Sequence, residues 1–339
     1  ALFEPLRDTF GFGQVNLLLL ALVLADGRLL ATGRGRWAGV GIGLAAAIKL
    51  TPALFIGLLL LARRRRAAAV ATAVMIAATG LAALVAPDAS RFYWTRALWD
   101  TNRVGRLDYV SNQSLQGILA RLGETDRAVW ATVVLLVLGV WAHRTRRALT
   151  KGDGAAAFAL TGLTACLVSP ITWVHHLVWL LPALAVLVRA GHPRIAGALY
   201  AVLCTSVVWL WFDDSSGIDG FLGSNIYAWI TLGLLCRLPV GQLPPECASL
   251  TRSTRSTRAT APAPSTAAPE TAPAAGHPDP PSGVTATATG AAAGPAASRS
   301  SGSGRRRRKQ PATAPPWRER ARMPRQRPAP DVRGESAAP

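Results

Sequence analysis

The chain has 339 residues, half of them apolar, and a formal net charge of +19. A single soluble globule of this length would not combine the two, and they separate along the chain: residues 1–238 hold nearly all the long apolar runs, while 239–339 are Ala, Pro, Ser, Thr, Gly and Arg with almost no Leu, Ile or Phe. The first part can span a bilayer and the second cannot bury a core, which excludes one water-soluble domain.

A bilayer core about 30 Å thick needs roughly 20 apolar helical residues. Eight stretches are candidates: 14–31, 37–62, 67–86, 128–143, 155–168, 173–188, 195–212 and 224–238. The first residue is Ala1, and no basic leader with a cleavage site precedes the first apolar run, so the expectation is a chain lacking its N-terminal helices. Lysine and arginine in short loops set orientation. They cluster at Arg28, Arg34 and Arg36, at 63–66, at 144–151, at 189–194 and at Arg237. With these inside, the segments 1–13, 87–127, 169–176 and 213–222 fall outside. The chain is then a multi-pass plasma-membrane protein with an extracytoplasmic working face.

The polar residues within or beside these spans need explanations, since ionisable groups at membrane depth are costly. Gly11-Phe12-Gly13-Gln14-Val15-Asn16 opens the first span with two glycines and two amides, suited to close helix approach or to a sugar. The stretch 37–62 is basic at both ends, and its middle reads Ile48-Lys49-Leu50-Thr51-Pro52. Proline removes a helix hydrogen bond and disfavours helix in the residue before it. The expectation is two short helices entering and leaving on one side, with Lys49 at their joint near the outer leaflet; the alternative is one kinked span with Lys49 snorkelling. A cation there suits the phosphate of a lipid carrier, or else a carboxylate on a neighbouring helix.

In the long outer loop, Asn112, Gln113 and Ser114 precede apolar residues at 115, 118, 119 and 122, a short amphipathic helix that would present the amides to a ligand or cap the loop. Ser169-Pro170-Ile171-Thr172-Trp173-Val174-His175-His176 lies between two spans. Adjacent histidines on a helix point about 100° apart, and no acidic companion has metal spacing, so hydrogen bonding or acid–base work on a phosphate is expected rather than a metal. Cys166, Cys204, Cys236 and Cys247 form no metal or disulfide pattern. The tail 239–339 reads as disordered and cytoplasmic. Its run Arg305, Arg306, Arg307, Arg308 and Lys309 fits anionic lipid head groups or a solvated linker, and a lone Trp317 gives no nucleic-acid module.

Gly13-Gln14-Val15-Asn16-Leu17-Leu18, the stretch from Gly43 to Pro52, Asn112-Gln113-Ser114-Leu115 and the Ser169 to His176 turn stand in an order that resembles the actinobacterial polyprenol-phosphate-mannose-dependent α-1,2-mannosyltransferases of glycosyltransferase family 87, in the GT-C superfamily. The resemblance spans about 1–238 and leaves out the tail. It implies an all-α polytopic bundle that transfers mannose from a β-linked polyprenyl-phosphate carrier to an outer-face glycolipid or glycan, giving an α linkage without nucleotide or cofactor. Lys49, His175 and His176 would hold the donor phosphate, and Gln14, Asn16, Asn112, Gln113 and Trp173 the substrates. Such enzymes use a carboxylate base in the first outer loop. That base is expected upstream of Ala1, with Glu4 and Asp8 as weaker candidates. A flippase of lipid-linked saccharides would need inverted repeats and polar groups toward the cytoplasm, and neither is visible. An envelope scaffold would put the working part in the tail.

Overall fold

The computed structural model describes residues 3–33, 35–124, 126–213 and 215–241; the tail beyond 241, with its basic run 305–309, lies outside the described residues. Within them all regular structure is helical. The helices are α1 (Glu4–Gly11), α2 (Asn16–Ala31), α3 (Val40–Ile48), α4 (Leu54–Leu61), α5 (Arg65–Val85), α6 (Pro87–Phe92), α7 (Leu115–Arg121), α8 (Arg127–Thr150), α9 (Gly154–Val168), α10 (Leu181–Arg189), α11 (Pro193–Val202), α12 (Gly217–Ser224) and α13 (Ile226–Arg237). Among them α5 and α8 are long and apolar enough to cross a membrane, and α1 with α2, bent by 116°, makes a third if counted as one. The predicted spans 155–168, 173–188 and 224–238, and the second half of 37–62, are realised as shorter apolar helices.

The predicted break at Lys49 is present. Lys49 is extended (φ −147°, ψ 130°), and a 3-10 turn, Thr51–Ala53, leads into α4. Glycine contacts give the directions. A side chain on Gly39 would run into the Ala67 carbonyl, and one on Gly43 would come within 2.5 Å of the Ala71 carbonyl oxygen. The start of α3 therefore lies beside the start of α5, and α3 runs parallel to it. Because α4 leads directly into α5 through a tight turn, α3 and α4 form a hairpin whose two basic ends lie together and whose tip is Lys49. Asp26 of α2, buried, accepts the Ile42 N–H at 2.7 Å and so caps the exposed amides at the start of α3.

The remaining helices extend the same sorting. In α8 and α9, Trp141 Nε1 donates to Thr161 Oγ1 at 3.0 Å. Asp153 in their turn caps α9 and pairs with Arg189 at 2.6 Å. Arg144 donates to the carbonyls of Leu235 and Leu238 at the end of α13. The basic turns thus collect at one end of the bundle, opposite the Lys49 tip. Buried on nearly every side, α9 forms the centre of the core, with Gly162 against the Trp179 ring.

One expectation is corrected. The apolar run 195–212 is not one helix: α11 stops at Val202, Ser206 takes a left-handed φ of 58°, and a 3-10 turn, Val207–Trp211, follows. The break receives α1, whose Glu4 N–H donates to the Leu203 carbonyl and whose Arg7 donates to Ser206 Oγ. The segment 1–13, expected to face outside with no structure assigned to it, is mostly this helix, with Pro5 in its first turn where a missing N–H costs nothing.

Candidate active site

The hairpin tip, the α1–α2 elbow and the turn between α9 and α10 meet at the end opposite the basic turns. Lys49 leaves the helix axis because its own residue is extended. Its Nζ lies 3.2 Å from Asn16 Oδ1 and 2.7 Å from His176 Nε2. Asn16 Nδ2 and Thr9 Oγ1 both donate to the His175 carbonyl at 3.0 Å, tying the elbow to the histidine turn. The Trp173 N–H donates to His176 Nδ1 at 3.1 Å. The Lys49 ammonium can only donate, so it asks Nε2 to accept while the Trp173 N–H asks the same of Nδ1; a neutral imidazole accepts at one nitrogen, and its proton sits on whichever of the two is released.

Among the described residues Lys49 has no carboxylate partner. Its neighbours are an amide, an imidazole and the Cys166 thiol, around a space of about 10 Å³ that also touches Thr51, Thr172 and Trp179. That is about the room of one water. An oxyanion reaching this point would draw the Lys49 ammonium away from Nε2, and with Nδ1 accepting from Trp173 the ring would then carry its proton on Nε2, giving two N–H donors with no carboxylate paired to Lys49 among the described residues.

The structure brings Lys49, Asn16 and His176 together. The His175 ring stands at 87° to that of His176 and packs edge-on against Phe12. Trp173 meets Tyr109 edge-on, and Tyr109 also meets Trp209 and Phe212, forming an aromatic wall beside the tip. The Gln14 side chain is exposed.

Asn112 and Gln113 are fully buried, and their amides are committed to backbone. Asn112 Oδ1 accepts from Thr172 N, and Gln113 joins Val110, Ser224 and Ala228. Ser114 Oγ bonds the Pro170 carbonyl and also caps α7. Two motifs some 60 positions apart are therefore stitched together, and their polar atoms hold the turn that carries Trp173 and His176. Arg121 clamps the same loop through the carbonyls of Tyr109 and Asn112 and the Asn225 amide. Burial pulls its pKa down to about 10, opposed by Asp108.

The two carboxylates differ. Glu4 is fully buried and accepts from Trp209 Nε1 and Tyr227 Oη, each at 2.5 Å. Burial raises its pKa in spite of both donors. Asp8 is partly exposed, with Arg7 as its neighbour at 3.3 Å, and burial raises its pKa against the pull of that guanidinium. Asp8 is the one with open lone pairs. Asp26 and Arg121 escaped the sequence reading. An acid inside an apolar run was the available signal for Asp26; an arginine ending a short loop helix gives none.

Three relatives match over comparable stretches. A Mycobacterium tuberculosis H37Rv protein named polyprenol-phosphate-mannose-dependent alpha-(1-2)-phosphatidylinositol mannoside mannosyltransferase is 36% identical over 209 residues, covering 60% of this chain and 48% of the relative. A Mycolicibacterium smegmatis protein of the same name is 41% identical over 207 residues, covering 56% and 45%. A Mycobacterium tuberculosis CDC 1551 protein named as the corresponding pentamannoside mannosyltransferase is 37% identical over 224 residues, covering 61% and 49%. The chain spans about half the length of the curated relatives it matches. No solved structure matches. The profile of glycosyltransferase family 87 matches residues 1–170, half of the chain, which contains the elbow, the hairpin and the loop motif and ends at Pro170. The chain belongs to glycosyltransferase family 87.

Proposed function

We propose that this chain forms part of a polytopic plasma-membrane enzyme that transfers mannose from polyprenyl phosphate mannose, in α-1,2 linkage, to a glycolipid acceptor of the phosphatidylinositol mannoside type. The observation that carries the reading is Lys49, a half-buried cation with no carboxylate partner among the described residues, touching His176 at the tip of a hairpin. An isolated cation at such depth is costly unless an anion completes it, and a lipid phosphate is already at the membrane surface.

Membrane placement is supported by the apolar faces of α5 and α8, which the protein leaves uncovered: Leu84 is 82% exposed, Val85 78% and Leu135 67%. Uncovered apolar surface over whole helices fits lipid rather than water. The sorting of basic turns to the end opposite Lys49 supports a cytoplasmic basic end and an extracytoplasmic site. The tail 239–339 is then a separate cytoplasmic region.

In the reaction, an acceptor hydroxyl attacks C1 of the mannosyl group while the bond from C1 to the phosphate oxygen breaks, with inversion. Lys49 and His176 stabilise the charge growing on the departing polyprenyl phosphate. We assign the acceptor's proton to Asp8 within this chain. Glu4, whose two oxygens are occupied, holds α1 in place. Gln14 and Trp173 face the sugar; Asn16, buried with its amide taken by Lys49 and the His175 carbonyl, holds the elbow, and Asn112 and Gln113 support the turn.

The test is mannosyl transfer in membranes containing the complete protein. Lys49→Ala is expected to lower the rate about 100- to 1000-fold, the usual cost of one such donor, with Lys49→Arg recovering part of it. Transfer at the normal rate by Lys49→Ala would overturn the phosphate role.

A further inference from the structure

The basic end of the bundle holds a cleft of about 1190 Å³ between α2, α4, α8, α9 and α10. That exceeds the roughly 300–1000 Å³ of an ordinary small-molecule pocket. Its walls are apolar, built from residues such as Leu24, Leu58, Phe158 and Ala185. Its rim carries Arg28, Arg63, Arg64, Arg146 and Arg189 against a single acid, Asp153. Asp153 is already taken by Arg189, by the Ala156 N–H and by the Gly241 N–H. The other four arginines have no carboxylate partner among the described residues. The Arg189 Nε is buried without a hydrogen-bond partner.

We propose that this cleft binds an anionic phospholipid, with its acyl chains against the apolar wall and its phosphate among the arginines. Charge complementarity selects the occupant. Long apolar walls suit a hydrocarbon chain, and planar guanidinium groups at one rim suit a phosphodiester, which they grip in bidentate fashion. A zwitterionic lipid would bring its own cation to a rim that already carries an excess of positive charge. The site lies at the end opposite Lys49, so it is distinct from the donor-phosphate site. It rests on the bilayer placement proposed above but not on any particular sugar or linkage.

The test uses the full chain in neutral detergent, with phosphatidylglycerol or phosphatidylcholine of matched acyl chains added and the thermal unfolding midpoint followed. A saturable rise with phosphatidylglycerol and none with phosphatidylcholine is expected. Changing Arg28, Arg63 and Arg146 together to Gln should weaken half-saturation roughly 100-fold, at about 1 kcal/mol per arginine. The charge-matched variant Arg65→Gln, Arg66→Gln and Arg147→Gln, at positions that do not line the cleft, should keep the shift. Leu58→Trp, which fills the wall without altering charge, should also lose it. Equal shifts with both lipids, or equal losses in the two triple variants, would overturn the site and leave only general surface attraction. No lipid response in the wild type would also overturn it, as expected if another protein segment fills the cleft. Lys49→Ala should retain the lipid shift, so a failure here is separable from a failure of the proposed transfer reaction.

Discussion

The two ends of this bundle carry positive charge in opposite circumstances. At the basic end, cations are many and either exposed, as Arg65 and Arg66 are, or held by acceptors, as Arg189 is by Asp153 through one terminal nitrogen and Arg144 by two carbonyls. At the other end one lysine is half-buried among neutral groups. The difference teaches that the number of charges says little about where chemistry occurs. A solvated arginine costs nothing and binds loosely, whereas a desolvated lysine with no carboxylate partner among the described residues is the one that an anion would stabilise most.

The comparison breaks most severely if the hairpin cannot close. Gly43→Leu places side-chain atoms into the Ala71 carbonyl and Val74 and should abolish both folded yield and transfer, measured by membrane abundance and sugar incorporation. Gly80→Leu in α5, where nothing lies within 4 Å, should be accumulated normally. Next in size, Asp8→Asn is expected to slow transfer by about 10² to 10⁴ if Asp8 takes the acceptor's proton, with little change in yield. Because burial raises the Asp8 pKa above its ordinary 3.8 while Arg7 opposes the rise, wild-type activity should fall as pH drops through that raised value. Arg7→Gln should move this acid limb to higher pH, and an unmoved limb would separate Asp8 from catalysis.

Smaller effects sharpen the structural side. Asp26→Ala removes the cap on α3 and should cost about 0.5–2 kcal/mol, read as a lower unfolding midpoint. Glu4 has a raised pKa when folded, so its contribution is fully present below the unfolded value of 4.5 and is lost as pH rises through the folded one. Stability should therefore decline across that window in the wild type, and Glu4→Gln, which does not titrate and keeps one acceptor oxygen while its NH2 can donate to the Tyr227 hydroxyl, should flatten the decline.

Much of this arrangement was legible in the sequence. The hairpin could be read because Pro52 marks a break and arginines at both ends of one apolar run require a return. Lys49 and the histidine turn stood out because polar groups at membrane depth need partners. The role of Asn112 and Gln113 was not legible, since an amide suits a sugar and a backbone carbonyl equally well, and only the approach of Thr172, Ser224 and Ala228 decides between them. The interruption of 195–212 was hidden because its cause is not local: α1 docks there, from about 200 positions away. The elbow at Gly11 to Val15 was likewise concealed, because contacts with the His175 carbonyl hold it rather than any pattern in its own residues.

The most direct test of the central claim is donor-phosphate recognition by Lys49, measured as separate donor and acceptor KM values for the complete enzyme with Lys49→Ala and Lys49→Arg. The account predicts that the alanine variant loses kcat/KM for polyprenyl phosphate mannose while the acceptor KM stays unchanged, with partial recovery in the arginine variant. An unchanged kcat/KM for the donor in Lys49→Ala would contradict it.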